Sequence, residues 1–297
     1  MIGAKGTATA SAAFTFTVDP IVPSWATLLE ATPDPAVVTD ANLRAAIVAS
    51  GFAWRVRDNA ANIEMLLVPG GTFMMGCSAS NSFPCISDES PTHQVTLTQA
   101  FYMGRYEVTQ AQWVANMGSN PSFFQSPIWP GTNSRPVEKV SLNMIANPGG
   151  FNSATGLRLP TEAEWEYAYR AGTTTAFHSY AAQPTGFNTE SLLENIAWFN
   201  DNSGGVTHAV GGKAANTLGL HDMSGNVSEW CQDTYSSTYY DSSPATNPTG
   251  PTEGGYVISV RGGGLWSFST DCRASVRTFG ARDSTQSLFG FRVARNP

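Results

Sequence analysis

Short alternations of hydrophobic and polar positions dominate the first third of the chain and predict β-strands. Successive side chains of a strand point to opposite faces of a sheet, so a half-buried strand alternates with a period of two. The predicted strands span residues 13–18, 53–56, 64–69, 72–76, 93–97 and 101–108, with the last two paired to each other. After residue 108 only two short strands are predicted, near 196–199 and 256–260.

Three helices are predicted where polar caps precede a helical pattern. In two of them the caps have the spacing of a capping box, in which two side chains accept hydrogen bonds from each other's backbone N–H groups. The predicted helices are 41–50 after Thr39-Asp40, a helix to about Met117 after Thr109 and Gln112, and a helix through Arg170 after Thr161 and Glu164. Gly51 and Gly172 are expected to end the first and the last.

Long loops, over 118–135 and through most of 173–260, separate these elements. The mixture of few helices and many short strands predicts an α+β fold. Residues 1–60 are predicted to form an N-terminal extension made of a strand, a proline-rich linker over 21–36 and the short helix. Residues 61–297 are predicted to form the main domain.

The C-terminal tract 262–290 follows neither a strand period nor a helix period. It lies between two regular segments, 260–264 and 290–293, and contains no Lys, Glu, Met or Asn. Trp266, Phe268 and Phe279 stand isolated among Ser, Thr, Asp and Arg. An irregular segment fixed at both ends is a natural binding surface. The alternative is a long surface loop without a ligand.

Composition excludes several classes of function. The hydrophobic content of 41% supports a real core, and the charged content of 13% is well below the usual ~25%. With a net charge of −7 the chain lacks the basic footprint of a sequence-blind nucleic-acid binder. No apolar run reaches the ~18 residues that span a membrane. The N-terminus has no signal-peptide pattern, which leaves open a cytoplasmic protein or one trimmed from a secreted precursor.

The four cysteines carry the evidence on redox compartment. Cys77 and Cys85 bracket a short polar loop that a disulfide would clamp, whereas Cys231 and Cys272 lie far apart in sequence. The absence of a CxxC motif argues against a zinc ribbon or a thioredoxin-like site. The alternative for each cysteine is a buried thiol. A Cys77–Cys85 disulfide favours a secreted or cell-surface protein, and free thiols favour the cytoplasm.

Several motifs together resemble one family. They are LVPGGTFMMG at 67–76, YEVTQAQW at 106–113, RPV at 135–137, GLRLPTEAEWE at 156–166, GLHDMSGNVSEW at 219–230, RGG at 261–263 and GFR at 290–292. In this order they are similar to the formylglycine-generating-enzyme (sulfatase-modifying-factor) family, over roughly 62–297. The resemblance implies a loop-rich variant of the C-type lectin fold.

Only one of the two cysteines that the family's oxidases need is present in this sequence. The enzymes of the family carry a cysteine pair after RGG that binds copper and oxidises a cysteine of a sulfatase. Here those positions fall on Ser267 and Cys272. A hydroxyl is a poor ligand for cuprous ion, which prefers thiolate. We therefore expect no copper and no enzyme activity, and formylglycine-generating activity is kept as the alternative.

The lost thiol and the composition of the tract resemble a different branch, the variable proteins of diversity-generating retroelements. Adenine-specific mutagenesis of Asn codons yields many residue types but never Lys, Glu, Met, Gln or Trp, so Trp266 and Gln286 would be fixed positions. The resemblance implies a variable region over 262–292 of a monomer that binds a protein or cell-surface ligand. The predicted ligand-binding residues are Leu265, Trp266, Ser267, Phe268, Ser269, Asp271, Thr278, Phe279, Gly280, Ser284, Ser287, Leu288 and Phe289. An undiversified binding or scaffold domain is the further alternative.

Calcium is the cofactor that the resemblance implies. Its ligands would be the side chains of Asp222 and Glu229 with the carbonyls of Gly225 and Val227, on a bent chain of the kind that calcium favours. A second, weaker match comprises Asn195, the Ile196 carbonyl and an oxygen near Asn202. The alternative is that Asp222 and Glu229 cap turns and pair with arginine.

Overall fold

The computed structural model describes residues 19–78, 82–252 and 254–297 and has the predicted α+β class. Helices and strands in the described residues are short, and long ordered loops connect them. The helices are α1 Ala41–Ala49, α2 Gln110–Met117, α3 Leu142–Ala146, α4 Phe151–Thr155 and α5 Glu162–Arg170. The strands are β1 Ala26–Glu30, β2 Arg55–Asp58, β3 Glu64–Val68, β4 Gly71–Met75, β5 His93–Leu97, β6 Phe101–Gly104, β7 Ala197–Trp198, β8 Ser224–Gly225, β9 Ser228–Thr234, β10 Val257–Arg261, β11 Thr278–Ala281, β12 Phe289–Gly290 and β13 Ala294–Arg295.

Two sheets form the main framework. The larger has the strand order β1-β2-β3-β6-β13, and all of its pairs are antiparallel. The second has the order β11-β10-β9-β12, with β12 parallel to β9. The largest group of buried side chains draws on both sheets and on helices α2 and α5. The last strand of the chain therefore closes the larger sheet, while the strands on either side of the tract build the smaller one.

The described part of the N-terminal extension belongs to the larger sheet. Strand β1 pairs with β2, and β2 pairs with β3 across residue 60. Trp25 packs edge-on against Tyr102 of β6, with 5.3 Å between ring centroids. The prediction of a linker over 21–36 was wrong, because β1 lies within it. The strand predicted at 13–18 lies outside the described residues.

The predicted helices are confirmed, and their caps explain why. In α5, Thr161 Oγ1 accepts from Glu164 N at 3.0 Å, and Thr161 N donates to Glu164 Oε2 at 2.9 Å. Asp40 caps α1 and Thr109 caps α2. One detail differs: Ala171, in the left-handed conformation, follows the last residue of α5, so Gly172 is not its cap.

Strand pairing was partly mispredicted. Strand β5 pairs with β4 rather than with β6, which lies between β3 and β13. Helices α3 and α4 and strand β9 were not predicted. Strand β9 was missed because nearly all of its side chains are buried, on both faces, so that the alternation of a half-buried strand is absent.

Candidate functional site

The C-terminal tract leaves the sheet at a tight turn directly after β10. Gly262 and Gly263 have φ of 92° and 68°, which favour glycine. A Cβ on Gly263 would lie 2.9 Å from Cys272 Sγ and 3.1 Å from the Asp271 carbonyl oxygen. The chain therefore folds back on itself at this point, and the following residues lie over the smaller sheet.

Arg261, the last residue of β10, binds the backbone of the tract where the chain returns. Its guanidinium donates to the carbonyls of Ser275 at 3.0 Å, Val276 at 2.6 Å and Ala274 at 2.9 Å. The same group is ion-paired with Glu166 of α5. Both side chains are fully buried. One arginine thus fixes three consecutive carbonyls of the tract to the helix beneath it.

Three further buried arginines, Arg273 and Arg277 within the tract and Arg292 just after it, also pair with buried carboxylates. Arg273 makes two bonds of 2.9 Å to Glu89, Arg277 bonds Glu162 at 2.8 and 3.0 Å, and Arg292 bonds Glu229 at 2.7 and 2.6 Å. Such two-pronged charge-assisted bonds fix geometry as well as charge. We call the four pairs Arg261–Glu166, Arg273–Glu89, Arg277–Glu162 and Arg292–Glu229 the arginine framework.

Electrostatics within the framework favours the charged forms. Burial alone would raise the pKa of Glu162, but Arg277 and Arg261 beside it hold that pKa below its usual value. Burial likewise opposes the charge on Arg277, and Glu162 more than offsets it, so the arginine pKa is raised. The Arg277–Glu162 pair therefore stays ionised, and loss of one partner would leave a buried charge unpaired.

The outer face of the tract carries the exposed side chains. Trp266, Phe268 and Phe279 are 48%, 67% and 53% exposed. Thr278 is exposed as well, and six other predicted ligand-binding residues are half-buried. The half-buried residues are Ser267, Ser269, Asp271, Ser284, Ser287 and Leu288. Leu288 packs against the core rather than standing in solvent.

Three predicted ligand-binding residues are buried, which corrects the expectation that they contribute to the surface. Phe289 lies edge-on against Trp230 with 4.9 Å between centroids. Gly280 lies against the same ring, and a Cβ there would be 2.4 Å from it. Leu265 is fully buried, and its N–H donates to the Asn226 carbonyl at 3.0 Å. These residues pack the tract onto the sheet.

A cleft of about 330 Å³ opens between the tract and the segment that follows the disulfide loop. Ser267, Asp271, Val276 and Leu288 contribute to it from the tract, and Ile86 lines it from the other segment. Cys77 and Cys85 form a disulfide, with 5.8 Å between their Cα atoms. Glu89 of the same segment binds Arg273. The disulfide and the arginine framework therefore fix the side of the cleft that Ile86 lines.

The two positions that correspond to the copper-binding pair have different roles. Ser267 Oγ accepts from Gly264 N at 3.0 Å, so its hydroxyl closes the turn after β10. Cys272 is buried, and its Sγ lies 3.7 Å from the Phe268 carbonyl oxygen. Burial raises the pKa of the Cys272 thiol. Cys231 is also a buried free thiol, so Cys231 and Cys272 are not bonded to each other.

The first predicted calcium site is only partly compatible with the observed contacts. Both Glu229 oxygens bind Arg292, and one also accepts from Trp165 Nε1 at 2.8 Å. Asp222 Oδ2 accepts from Gly211 N at 2.6 Å, and its buried Oδ1 has no hydrogen-bond partner in the part of the chain that the structure describes. A calcium ion would have to share Glu229 with Arg292. The role of the Gly225 and Val227 carbonyls stays a prediction.

The second predicted site consists of side chains that already bind backbone. Asn195 Nδ2 donates to the Leu192 carbonyl at 3.0 Å, just before Ile196. Asn202 accepts from Phe199 N and donates to the Ala197 carbonyl, both at 2.9 Å. Among the described residues no group of three or more His, Cys, Asp or Glu could hold a metal ion. Nor is any helix there long and apolar enough to cross a membrane.

Sequence reasoning missed the acidic half of the site. Glu89, Glu162 and Glu166 bind the arginines of the tract, but none was singled out. A signal existed in α5, where Glu162, Glu166 and Arg170 recur every four residues beside Trp165 and Tyr169. A helical face that mixes charges with large aromatic side chains indicates buried ion pairs.

The chain is similar to proteins of one known family. The model of the sulfatase-modifying factor enzyme 1-like domain matches residues 53–297. The serine/threonine-protein kinase pkn1 of Chlamydia caviae is 31% identical in an alignment of 252 residues that covers 78% of this chain and 38% of the kinase. The chain therefore spans well under half the length of that relative.

Two further relatives match over nearly their full length. The formylglycine-generating enzyme of Thermomonospora curvata is 29% identical over 292 residues, covering 78% of this chain and 93% of the enzyme. The solved structure of Treponema denticola variable protein 1 superposes with a TM-score of 0.68 at 30% identity. That match covers 79% of this chain and 95% of the variable protein.

Proposed function

Since the chain belongs to the family of sulfatase-modifying factor enzyme 1-like domains, we propose that it uses the family fold to bind a macromolecular ligand at the C-terminal tract. On this proposal the ligand contacts the outer face of the tract, and a retroelement diversifies that face. The similarity to a variable protein supports the proposal. The similarity to a formylglycine-generating enzyme keeps the oxidase as the competing function.

The observation that carries the proposal is the separation between what fixes the tract and what it exposes. Four buried arginine–carboxylate pairs fix its path. Phe268, Thr278 and Phe279 stand outside those pairs and are exposed. A surface built in this way can change its side chains without losing its backbone. Exposed aromatic rings also give large contact area at a small cost in conformational entropy.

A diversified library tests the proposal directly. Phe268, Ser269, Thr278, Phe279 and Ser284 are randomised together, displayed on yeast and selected against hen lysozyme as an arbitrary protein probe. We expect most clones to fold and lysozyme binders to be enriched. A control library randomises Ile21, Leu28, Val48 and Met74, which are also exposed. Widespread unfolding, or no more binders than in the control library, would contradict the proposal.

The neighbouring DNA provides an independent test of diversification. We expect a near-copy of the 3′ coding end, with adenines at the codons of the variable positions, beside a reverse-transcriptase gene. Trp266 and Gln286 should be encoded identically in both copies. A locus without such a copy would leave an undiversified binding domain as the function of the tract.

The competing oxidase function is tested by its product. Because Ser267 supplies a hydroxyl where the copper pair needs a thiol, we expect no formylglycine from a cysteine-containing sulfatase peptide with copper and oxygen. Ser267→Cys provides the matched variant with both thiols. Aldehyde formation by the wild type, lost in Cys272→Ala, would replace the binding function with catalysis.

A further inference from the structure

An exposed aromatic patch adjoins the tract and is built largely by a different part of the chain. Phe123 and Ile128 of the loop after α2 are 51% and 72% exposed. Phe123 and Trp129 pack with 5.1 Å between ring centroids. The buried ring of Phe124 lies beneath both, and it also contacts Trp266 of the tract at 6.4 Å. We call Phe123, Ile128, Trp129 and Trp266 the aromatic patch.

Buried polar side chains fix the backbone beneath this patch. Glu138 Oε1 accepts from Phe124 N at 2.9 Å, and Gln110 Nε2 donates to the Phe124 carbonyl at 3.1 Å. Asn120 in turn donates to Gln110 Oε1 at 2.9 Å. Rings held in this way lose little conformational freedom when a partner covers them. The patch is therefore ordered before any partner arrives.

The chemistry of the patch favours an apolar protein surface as the partner. Residues 118–134 and 262–270 contain no Asp, Glu, Lys, Arg or His. The exposed residues Pro127 and Pro130 stand beside the rings in the sequence and carry no charge. The net charge of −7 does not favour an anionic membrane surface. An uncharged cluster of large side chains is typical of the centre of a protein–protein interface.

We propose that the aromatic patch is a constant anchor for the same protein ligand that the variable tract selects. The inference rests on the proposed function, because the patch is continuous with the tract through Trp266. Adenine mutagenesis of Asn codons cannot create Trp266, and the loop lies outside the tract, so no part of the patch would vary. The patch would then supply a constant share of the affinity, and the tract would supply the specificity.

Defined peptides test the anchor. Twelve-residue peptides are selected from a random phage library on the wild-type protein, synthesised, and measured against three double variants. Phe123→Ser with Ile128→Ser alters the patch, Phe268→Ser with Phe279→Ser alters the tract, and Ile21→Ser with Val48→Ser alters exposed side chains elsewhere. We expect the selected peptides to contain apolar residues. Their Kd for the patch variant should be at least tenfold higher than for the wild type, and their Kd for the control variant should be unchanged. Melting curves verify that all variants fold.

The outcomes separate the two proposals. Peptides that depend on the tract but bind the patch variant normally would overturn the anchor and leave the proposed function standing. Peptides that depend on neither surface, or a failure to enrich any peptide, would count against both. Sedimentation with phosphatidylcholine–phosphatidylglycerol vesicles that is lost in the patch variant would assign the patch to a membrane and overturn the protein partner.

Discussion

The inner and outer sides of the C-terminal tract differ in almost every physical respect. On the inner side, charged groups are buried and each arginine has a carboxylate partner. On the outer side, Phe268 and Phe279 are exposed aromatic rings in a stretch of small polar residues. Ordinary proteins bury apolar groups and expose charge, and this tract does much of the reverse.

The difference shows how a loop can be ordered without using its own surface. An arginine that donates to three carbonyls fixes backbone, whatever side chains that backbone carries. Burying ion pairs is not an efficient source of stability, because desolvation offsets most of the attraction. Their value here is geometric, since they fix the path of the tract without using its outer side chains.

Removing one arginine should have the largest effect on this arrangement. Arg261→Ala removes one of the two arginines that pair with Glu166 in the described residues and leaves three buried carbonyls without their donor, so we expect a loss of ~3–5 kcal/mol in the free energy of unfolding. Urea denaturation measures it. Arg282→Ala is the matched control, because Arg282 bonds Asn143 and a backbone carbonyl and makes no ion pair with any described residue. Equal small losses in both variants would remove the distinction between the inner and outer sides.

A single buried carboxyl beneath the aromatic patch, Glu138, contrasts with the paired carboxylates of the arginine framework. Its titration should make stability depend on pH. Burial raises the pKa of Glu138 to about 7, above its ordinary value of 4.5. The native state therefore keeps the proton longer, and the contribution of Glu138 is complete below pH 4.5 and lost as pH rises through 7. The total change is at most ~3 kcal/mol.

Glu138→Gln should remove that slope and leave the bond from Phe124 N intact. Thermal melting between pH 4.5 and 8 measures the slope in the variant and the wild type. The exposed Glu190 provides the control substitution, Glu190→Gln. An unchanged slope in Glu138→Gln would place the titrating group elsewhere.

Breaking the disulfide should have an intermediate effect. Cys77 and Cys85 are eight residues apart. Opening so short a loop increases the conformational entropy of the unfolded chain, which lowers the free energy of unfolding by ~2–3 kcal/mol. We expect Cys77→Ser with Cys85→Ser to unfold at correspondingly lower urea concentration. Wild-type protein in reductant should match the variant. Mass spectrometry that finds free thiols in the non-reduced protein would contradict the bond and favour a cytoplasmic location.

Substitutions on the outer side should have the smallest effect. Ser269→Ala, Thr278→Ala and Ser284→Ala should each stay within ~0.5 kcal/mol of wild type, because Thr278 is exposed and Ser269 and Ser284 are only half-buried. Phe291→Ala is the opposite case, since that ring is fully buried against Trp113 and Phe151. Outer substitutions that cost as much as Phe291→Ala would show that the tract is ordinary packed structure.

Local signals in the sequence predicted the elements that local chemistry determines. The capping boxes at Thr109 and Thr161 located α2 and α5, because they are closed by residues three apart. The pairing of β5 with β4 depends on tertiary packing, and nothing within 93–108 specified it. Strand β9 was missed for the related reason that a strand buried on both faces has no alternation to detect.

The candidate site was predictable on one side only. The tract itself was predicted from RGG, GFR and the irregular pattern between them. The exposure of individual residues did not, because Phe289 and Phe268 have the same side chain and differ only in the strand that one of them joins. The acidic partners lie 63 to 184 residues away from their arginines, a separation that no local pattern specifies.

Strand β13 has a consequence for how errors in the tract are handled. It follows the tract in the chain and closes the larger sheet beside β6. A ribosome must therefore translate the whole tract in frame before the larger sheet can be completed. Products that stop early in the tract would lack Phe291 and the sheet edge, and would remain open to proteases. Because β13 comes after the tract, only chains translated through the whole tract can complete the larger sheet.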